Sequence, residues 1–257
     1  MSAAFLRETA ALTGRSLTHV ARSPDTVVTT AVVPVALMLL FTHVLGGAIE
    51  TGAEAGSGAY VAYVLPGVLV VTVAMGVSYT AYRLFTDLQS GIFDRFRSLP
   101  IARSAPLWAH VLTSLVANLA SVAVVVGVAL VTGFRTGAGL LAWLAVAGIL
   151  LLLVLALTWV AVVAGLSATS AEGAGVFSYP LVLLPFVSSA FVPTESMAGP
   201  VRWFAERQPV TAVVEAVRDL LAQRPVGADV WTALAWCAGI LVVAHGCALI
   251  AHRRRTA

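Results

Sequence analysis

Apolar residues fill six long stretches of the chain, and charged, glycine or proline residues mark the ends of these stretches. A helix needs about 20 residues, almost all of them apolar, to cross the hydrocarbon core of a bilayer. The stretches that meet this requirement are Thr26–Leu45, Ala59–Tyr82, Leu107–Thr132, Leu140–Ser167, Ala174–Val192 and Val230–Ala251. The pattern therefore predicts an all-α membrane protein with six transmembrane helices, folded as a single transmembrane domain over residues 1–257.

Arginine is concentrated before the first predicted span, between the second and third spans, and after the sixth. Cytoplasmic loops of membrane proteins carry an excess of basic residues. Because the number of spans is even, these three regions lie on one side, and the rule predicts that both termini are cytoplasmic. The arginines in these regions are Arg7, Arg15, Arg22, Arg83, Arg95, Arg97, Arg103, Arg253, Arg254 and Arg255.

Residues 1–25 are predicted to form an amphipathic helix ahead of the first span. Apolar residues recur there at helical spacing, while Arg7 and Arg15 fall on another stripe. Helices of this kind lie in the plane of the membrane surface with their basic residues toward anionic headgroups. We expect an interface helix here, which acts either as a membrane anchor alone or as part of the working machinery.

The segment 83–106, between the second and third spans, combines charges with an apolar stripe. The stripe recurs at helical spacing and predicts a short cytoplasmic helix that Pro100 ends. Its members are Phe85, Leu88, Ile92, Phe96 and Leu99. The positive-inside rule explains the arginines of this segment but neither Asp94 nor the stripe, so the segment is a candidate docking surface.

A second unusual segment, 193–229, precedes the last span. It contains two helical stretches divided by Gln208 and Pro209, and the second stretch has an apolar face of valines and leucines. Glu215, Arg218 and Asp219 are predicted on the opposite face, where Glu215 and Arg218 can pair at the spacing i, i+3. The segment is too short and too charged to span, which predicts an external or partly re-entrant helical pair.

The fifth predicted span contains two prolines, Pro180 and Pro185. A proline inside a helix frees backbone carbonyl groups, which is tolerated in membranes where protein or a cavity satisfies them. Broken helices often line substrate pathways. The alternative is a kink that serves packing alone.

Composition supports the membrane assignment. The chain is 60% hydrophobic and 11% charged, and its mean hydropathy is +0.95, whereas soluble domains carry about 25% charged residues. The net charge of +3 does not indicate nucleic-acid binding, because the arginines lie at the ends of apolar runs, as membrane topology requires.

Several chemistries lack the residues that they need. All 15 basic residues are arginine, so the lysine of a phosphate-binding loop is absent and the chain has no such ATP site of its own. The histidines are scattered without metal-ligand spacing, and no metal site is predicted. No predicted span contains an aspartate or glutamate, which argues against a carboxylate proton relay and favours an apolar cargo.

Two other classes of protein remain as alternatives. A secondary carrier is expected to show ionisable groups inside its spans or an inverted repeat. A membrane-embedded enzyme that modifies lipids needs catalytic acids on a cytoplasmic loop, for which Asp87 and Asp94 are the candidates.

Two segments resemble one known family, the type-2 ABC exporter permeases of the daunorubicin-resistance type. They are GIFDRFRSLPIARSAPLWAH, after the second span, and FVPTESMAGPVRWFAERQPVTAVVEAVRDLL, before the last. The resemblance implies a permease of the bacterial plasma membrane that binds no cofactor itself and forms a homodimer. It also implies two copies of a separate ATP-binding subunit, which hold ATP and Mg, and export of a hydrophobic antibiotic, drug or lipid by alternating access.

The resemblance further implies three sets of functional residues. Contact with the ATP-binding subunit falls on Phe5–Ser23 and Thr86–Pro100. Within these, the coupling candidates are Arg7, Arg15, Asp87, Leu88, Gly91, Asp94, Arg95, Arg97, Leu99 and Pro100. The candidates for the substrate pathway are Phe41, Met75, Tyr79, Phe186 and Phe191, and those for the external gate are Pro193, Glu195, Glu215 and Arg218.

Overall fold

The structure is a computed structural model that describes residues 3–23, 28–45, 57–92 and 105–256. All regular secondary structure in these ranges is helical. The α-helices are α1 (Ala3–Ala21), α2 (Val33–Leu39), α3 (Ser57–Gln89), α4 (Ala105–Val131), α5 (Leu140–Ser167), α6 (Ala171–Val176), α7 (Ser178–Leu183), α8 (Gly199–Arg207), α9 (Pro209–Leu221) and α10 (Ala228–Thr256). The all-helical fold predicted from the sequence is confirmed for these residues.

Within the described residues, four helices, α3, α4, α5 and α10, are long and apolar enough to cross a membrane. They correspond to the second, third, fourth and sixth predicted spans. The first predicted span contains α2, which is flanked by π-helical turns at Val28–Val32 and Leu40–Leu45. Its apolar helical region, Thr30–Val44, is shorter than those of the four helices. The apolar helical region of the fifth extends over Ala171–Val187 and is broken. Six spans and two cytoplasmic termini stay predictions.

Helix α3 lies at the centre of the described bundle. Its residues from Val61 to Val77 are largely buried, and it packs against α2, α4, α5 and α9. Gly67 permits a close approach, since a Cβ atom there would lie 2.6 Å from the Cβ atom of Ala190. With 33 residues, α3 is about 50 Å long, well beyond the roughly 30 Å of a hydrocarbon core.

The extra length of α3 corrects one prediction. We predicted a separate helix over Phe85–Leu99, but Phe85 and Asp87 belong to the last turns of α3, which ends at Gln89. Gly91 then has φ +71°, a left-handed conformation that glycine adopts without strain and that stops the helix. The first residues of the predicted coupling loop 83–106 are therefore an extension of the second span.

The fifth predicted span is broken as its prolines suggested. Helices α6 and α7 are followed by a 3₁₀ turn at Leu184–Val187, and Ser188 has extended backbone. The predicted helix to Val192 is wrong, because the Ser188 hydroxyl donates to the Pro185 carbonyl at 2.6 Å and accepts from the Ala190 amide at 3.1 Å. These bonds fold residues 188–191 into a turn.

Helices α8 and α9 meet at Gln208 as predicted. Helix α9 packs its valines and leucines against α3, α5 and α10, and these side chains are buried. The N-terminal helix α1 also forms as predicted, and it packs along α4.

Candidate functional site

Arg218 of α9 is buried and connects three parts of the protein. Its Nη1 donates to Glu215 Oε1 at 2.6 Å, and its Nη2 donates to the backbone carbonyls of Tyr63 at 3.0 Å and Ser189 at 2.9 Å. The guanidinium carbon lies 4.0 Å from the centre of the Tyr63 ring, within the range of a cation–π interaction. Arg218 thereby ties α9 to α3 and to the turn at 188–191.

This network confirms one prediction and corrects another. The ion pair between Glu215 and Arg218 forms as expected. We predicted Arg218 on the face opposite the valines, whereas it is only 9% exposed and lies on the packed side. A buried charge needs several hydrogen-bonding partners, and backbone carbonyls from two other elements supply them.

Gln208 makes a second connection, which joins helices α8 and α9 to the broken fifth span. Its Nε2 donates to the carbonyls of Leu184 at 3.3 Å and Val187 at 2.6 Å. The last carbonyls of a helix have no partner within it, so Gln208 satisfies groups that the break leaves free. The predicted gate residues Pro193 and Glu195, by contrast, are exposed beside a short 3₁₀ turn.

Three of the five predicted pathway residues form an aromatic stack, which we define as Phe41, Phe186 and Phe191. The ring centres of Phe41 and Phe191 are 4.5 Å apart, and those of Phe186 and Phe191 are 5.0 Å apart. The stack joins the first predicted span to the end of the fifth. Met75 is half-buried against the main core, and Tyr79 lies beside Tyr82 with ring centres 6.3 Å apart; neither belongs to the stack.

A chain of hydroxyl groups connects α3, α4 and α5 inside the bundle. Thr80 donates to Ser114 at 2.9 Å, and Ser114 lies 3.0 Å from the Thr158 hydroxyl. Asn118 donates to the Ser114 carbonyl at 2.9 Å. Polar side chains between membrane helices hold them together in this way.

At the other end of α3, Asp87 pairs with His110 of α4, with 3.2 Å between Oδ2 and Nε2. Leu88 is half-buried, while Arg7 and Arg15 are exposed on α1. The structure thus anchors one predicted coupling residue, Asp87, by a contact within the chain. The other candidates, Asp94, Arg95, Arg97, Leu99 and Pro100, lie outside the described residues.

The family profile described as "ABC-2 type transporter" matches residues 7–222, which include both ends of this bundle. The chain belongs to the ABC-2 type transporter family. The resemblance stated from the two sequence segments is therefore confirmed.

Two relatives cover nearly the whole chain. The daunorubicin resistance ABC transporter permease protein DrrB1 of Streptomyces coeruleorubidus is 30% identical over 242 residues, which are 89% of this chain and 82% of that protein. The probable doxorubicin resistance ABC transporter permease protein DrrC of Mycobacterium tuberculosis is 30% identical over 253 residues, 97% of this chain and 90% of that protein.

As an ABC-2 type transporter, the chain is the transmembrane subunit of an ABC exporter and a multi-pass protein of the bacterial inner membrane. The two alternative classes, a secondary carrier and a lipid-modifying enzyme, do not agree with this membership.

Sequence reasoning missed several residues that the structure places at the two ends. Gln208 was noted only as a helix break, although a buried amide beside a broken helix is a natural donor to free carbonyls. Tyr63 and Ser189 act through backbone carbonyl groups, which no side-chain pattern identifies. The pairing of His110 with Asp87 carried a weak signal, since both lie near the predicted ends of spans that are adjacent in sequence.

Proposed function

We propose that this ABC-2 type transporter exports a hydrophobic or amphiphilic compound, such as an antibiotic, another drug or a lipid, by alternating access. The names of the two relatives, which refer to daunorubicin and doxorubicin resistance, support this cargo class. The apolar spans are also suited to such a compound. The proposed chain crosses the membrane six times, with both termini in the cytoplasm.

We propose that the energy comes from two copies of a separate ATP-binding subunit, which hold ATP and Mg, and that two copies of this chain form the membrane pathway. The absence of lysine from the chain supports a separate ATPase, since a phosphate-binding loop requires one. We expect the purified chain to hydrolyse no ATP by itself, and measurable hydrolysis would contradict this assignment.

The coupling surface is proposed to comprise α1 and residues 86–100. The exposed Arg7 and Arg15 and the extension of α3 to Gln89 support this placement. Movement of the ATP-binding subunits then shifts α1 and α3. The chain changes between a state open to the cytoplasm and a state open to the outside, and bound ATP and cargo set the populations of the two states.

Co-purification with the ATP-binding subunit tests the coupling surface. We expect charge reversal of Arg95 and Arg97 to glutamate to abolish both co-purification and export. Arg135→Glu is the matched control, because Arg135 is exposed in the segment between α4 and α5, away from the proposed surface. Export and association that survive the double reversal contradict the proposed docking.

The outer gate is proposed to be the junction of α9 with α3 and the turn at 188–191. One observation carries this proposal: the buried Arg218 holds all three elements through charge-assisted hydrogen bonds. The aromatic stack adds an apolar contact between the first and fifth predicted spans. Opening toward the outside requires these contacts to separate, which places cargo release beside them.

ATP-dependent uptake of doxorubicin into inverted membrane vesicles tests the transport function. We expect uptake when the chain is produced with an ATP-binding subunit, and none when either is absent. Phe191→Ala is expected to change the doxorubicin concentration at half-maximal uptake, whereas Phe204→Ala, an exposed phenylalanine of α8, serves as the control. Uptake that persists without the ATP-binding subunit contradicts the proposed mechanism.

A further inference from the structure

A cavity of about 260 Å³ lies where α1, the end of α3 and the beginning of α4 meet. It has the volume of about nine water molecules at roughly 30 Å³ each, enough for a phosphate group with part of its substituents. The charged and titratable side chains that line it are Arg15, His19, Arg83, Asp87 and His110. Basic groups therefore predominate around the cavity.

The single carboxylate among these lining residues is already engaged. Asp87 pairs with His110 at 3.2 Å, and His110 is 8% exposed. Among the described residues, no acidic side chain lies within 4.0 Å of Arg15 or Arg83. The charges of Arg83 and Arg15 both act on the Asp87 carboxylate at longer range. Two guanidinium groups from different helices thus face one cavity and share a single carboxylate, which is paired directly with His110.

The cavity also lies at the level where a lipid headgroup is expected. Arg83 follows Tyr82, the last residue of the second predicted span, and Tyr82 is 45% exposed. Tyrosine is enriched at membrane–water interfaces. Helix α1, which supplies Arg15, has the amphipathic pattern of a helix on the membrane surface.

We propose that this cavity binds the phosphate group of an acidic phospholipid from the cytoplasmic leaflet, with Arg15 and Arg83 as its ligands. Guanidinium groups bind phosphate through paired, charge-assisted hydrogen bonds, and basic pockets between membrane helices accept anionic headgroups on the cytoplasmic side. The bound phosphate joins α1 to α3. The proposal rests on the proposed orientation of the chain, although not on its cargo or its ATPase partner.

The site has a consequence that rests also on the proposed coupling surface, namely a link between membrane composition and coupling. The two elements that the phosphate joins, α1 and the end of α3, are those proposed to contact the ATP-binding subunit. An acidic lipid in the cavity fixes their relative position, so the lipid content of the inner leaflet sets how firmly movement of one element is passed to the other.

Native mass spectrometry of the purified full chain in a neutral detergent tests this site. We expect saturable binding of one dioleoyl phosphatidylglycerol per chain. Dioleoyl phosphatidylcholine should bind more weakly, because its ammonium group compensates the charge of its phosphate and is repelled by the arginines; equal binding of the two lipids overturns the preference for an acidic lipid. Arg15→Gln and Arg83→Gln are each expected to weaken binding of phosphatidylglycerol about tenfold, as the loss of one hydrogen bond to a charged group predicts.

Arg22→Gln is the matched control, since Arg22 is an exposed arginine close to the end of α1 that does not line the cavity. Arg15 is exposed as well, so its substitution leaves the fold intact even if Arg83→Gln impairs folding. Equal weakening by all three substitutions indicates general charge attraction and overturns the proposal. Equally strong binding of soluble glycerol 3-phosphate overturns a lipid as the source of the phosphate.

An acidic side chain of a partner protein is the other ligand that would fit this cavity, and the experiment has to exclude it. If Arg15→Gln and Arg83→Gln leave lipid binding unchanged and instead abolish co-purification with the ATP-binding subunit, the cavity serves protein docking and the lipid proposal is wrong. Because the lipid measurement uses the chain without its partner, failure of the proposed ATPase association leaves the result interpretable.

Discussion

The ion pair of Glu215 and Arg218 allows a quantitative test of the proposed outer gate. Arg218→Met replaces a buried guanidinium by an apolar side chain and removes three hydrogen bonds. Each hydrogen bond to a charged group contributes about 1.5–3 kcal/mol. The total cost depends on whether the three acceptors find other partners.

Each of these three acceptors has another hydrogen-bonding partner in the Arg218→Met variant. The Glu215 side chain is 28% exposed and can be hydrated. The Ser189 carbonyl still accepts from the Tyr63 hydroxyl at 3.1 Å, and the Tyr63 carbonyl lies within α3. We therefore expect Arg218→Met to lower the free energy of unfolding by about 2–3 kcal/mol, the value of one such bond rather than three.

Removal of the Glu215 carboxylate destabilises the protein for a different physical reason. Glu215→Ala leaves the guanidinium of Arg218, whose side chain is 10% exposed, with neutral partners only. Loss of one partner of a buried ion pair costs about 3–5 kcal/mol, and partial exposure of Glu215 reduces this to about 2–4 kcal/mol. The double variant should cost about as much as Arg218→Met alone, because no buried charge then remains.

Reversible unfolding of the purified chain in mixed micelles of SDS and a neutral detergent measures all four proteins of this cycle. The expected coupling energy is about 2–4 kcal/mol, the cost of Glu215→Ala, because the double variant costs the same as Arg218→Met. Costs that add within about 0.5 kcal/mol indicate that the two residues act independently and refute the argument. Vesicles with Arg218→Met should also leak preloaded doxorubicin faster, since the outer junction is loosened.

Three further substitutions test packing and hydrogen bonding. Gly67→Ala should lower the free energy of unfolding by about 1–3 kcal/mol, because its Cβ atom would meet Ala190 in a filled core. The control is Gly148→Ala, whose Cβ atom meets no atom within 4 Å and which should be neutral or slightly stabilising. Thermal unfolding measures both variants. Gln208→Leu should cost about 1–3 kcal/mol by leaving two carbonyls unpaired, and an unchanged unfolding midpoint contradicts this. Thr158→Val should cost about 0.6 kcal/mol, the mean for hydrogen bonds between membrane helices, and a loss above 2 kcal/mol contradicts that assignment.

The arrangement of helices was largely predictable because apolar length and proline position act locally. The division of the external segment at Gln208 and the break near Pro185 follow from residues at those positions. The end of α3 was missed although its signal was present: Gly91 stands where a glycine ends a helix. The apolar stripe continues past Gly91, and this periodicity taken alone predicts a helix that continues as well.

The orientation of Arg218 was not predictable from the chain segment that contains it. Amphipathic periodicity places charged residues away from an apolar stripe, and this rule holds unless another element supplies partners. The partners are backbone carbonyls at positions 63 and 189, distant in sequence.

Helix α3 carries a contact of the proposed outer gate at Tyr63. It carries another contact at Asp87, near the end that the proposed orientation makes the inner one. These positions are 24 residues apart, which corresponds to about 36 Å along a helix axis. A continuous helix of this length is a lever: a tilt of about 5° about one end displaces the other by about 3 Å, the length of one hydrogen bond. A small rotation at the inner end is thus sufficient to break the bond from Arg218, without any change inside the helix itself.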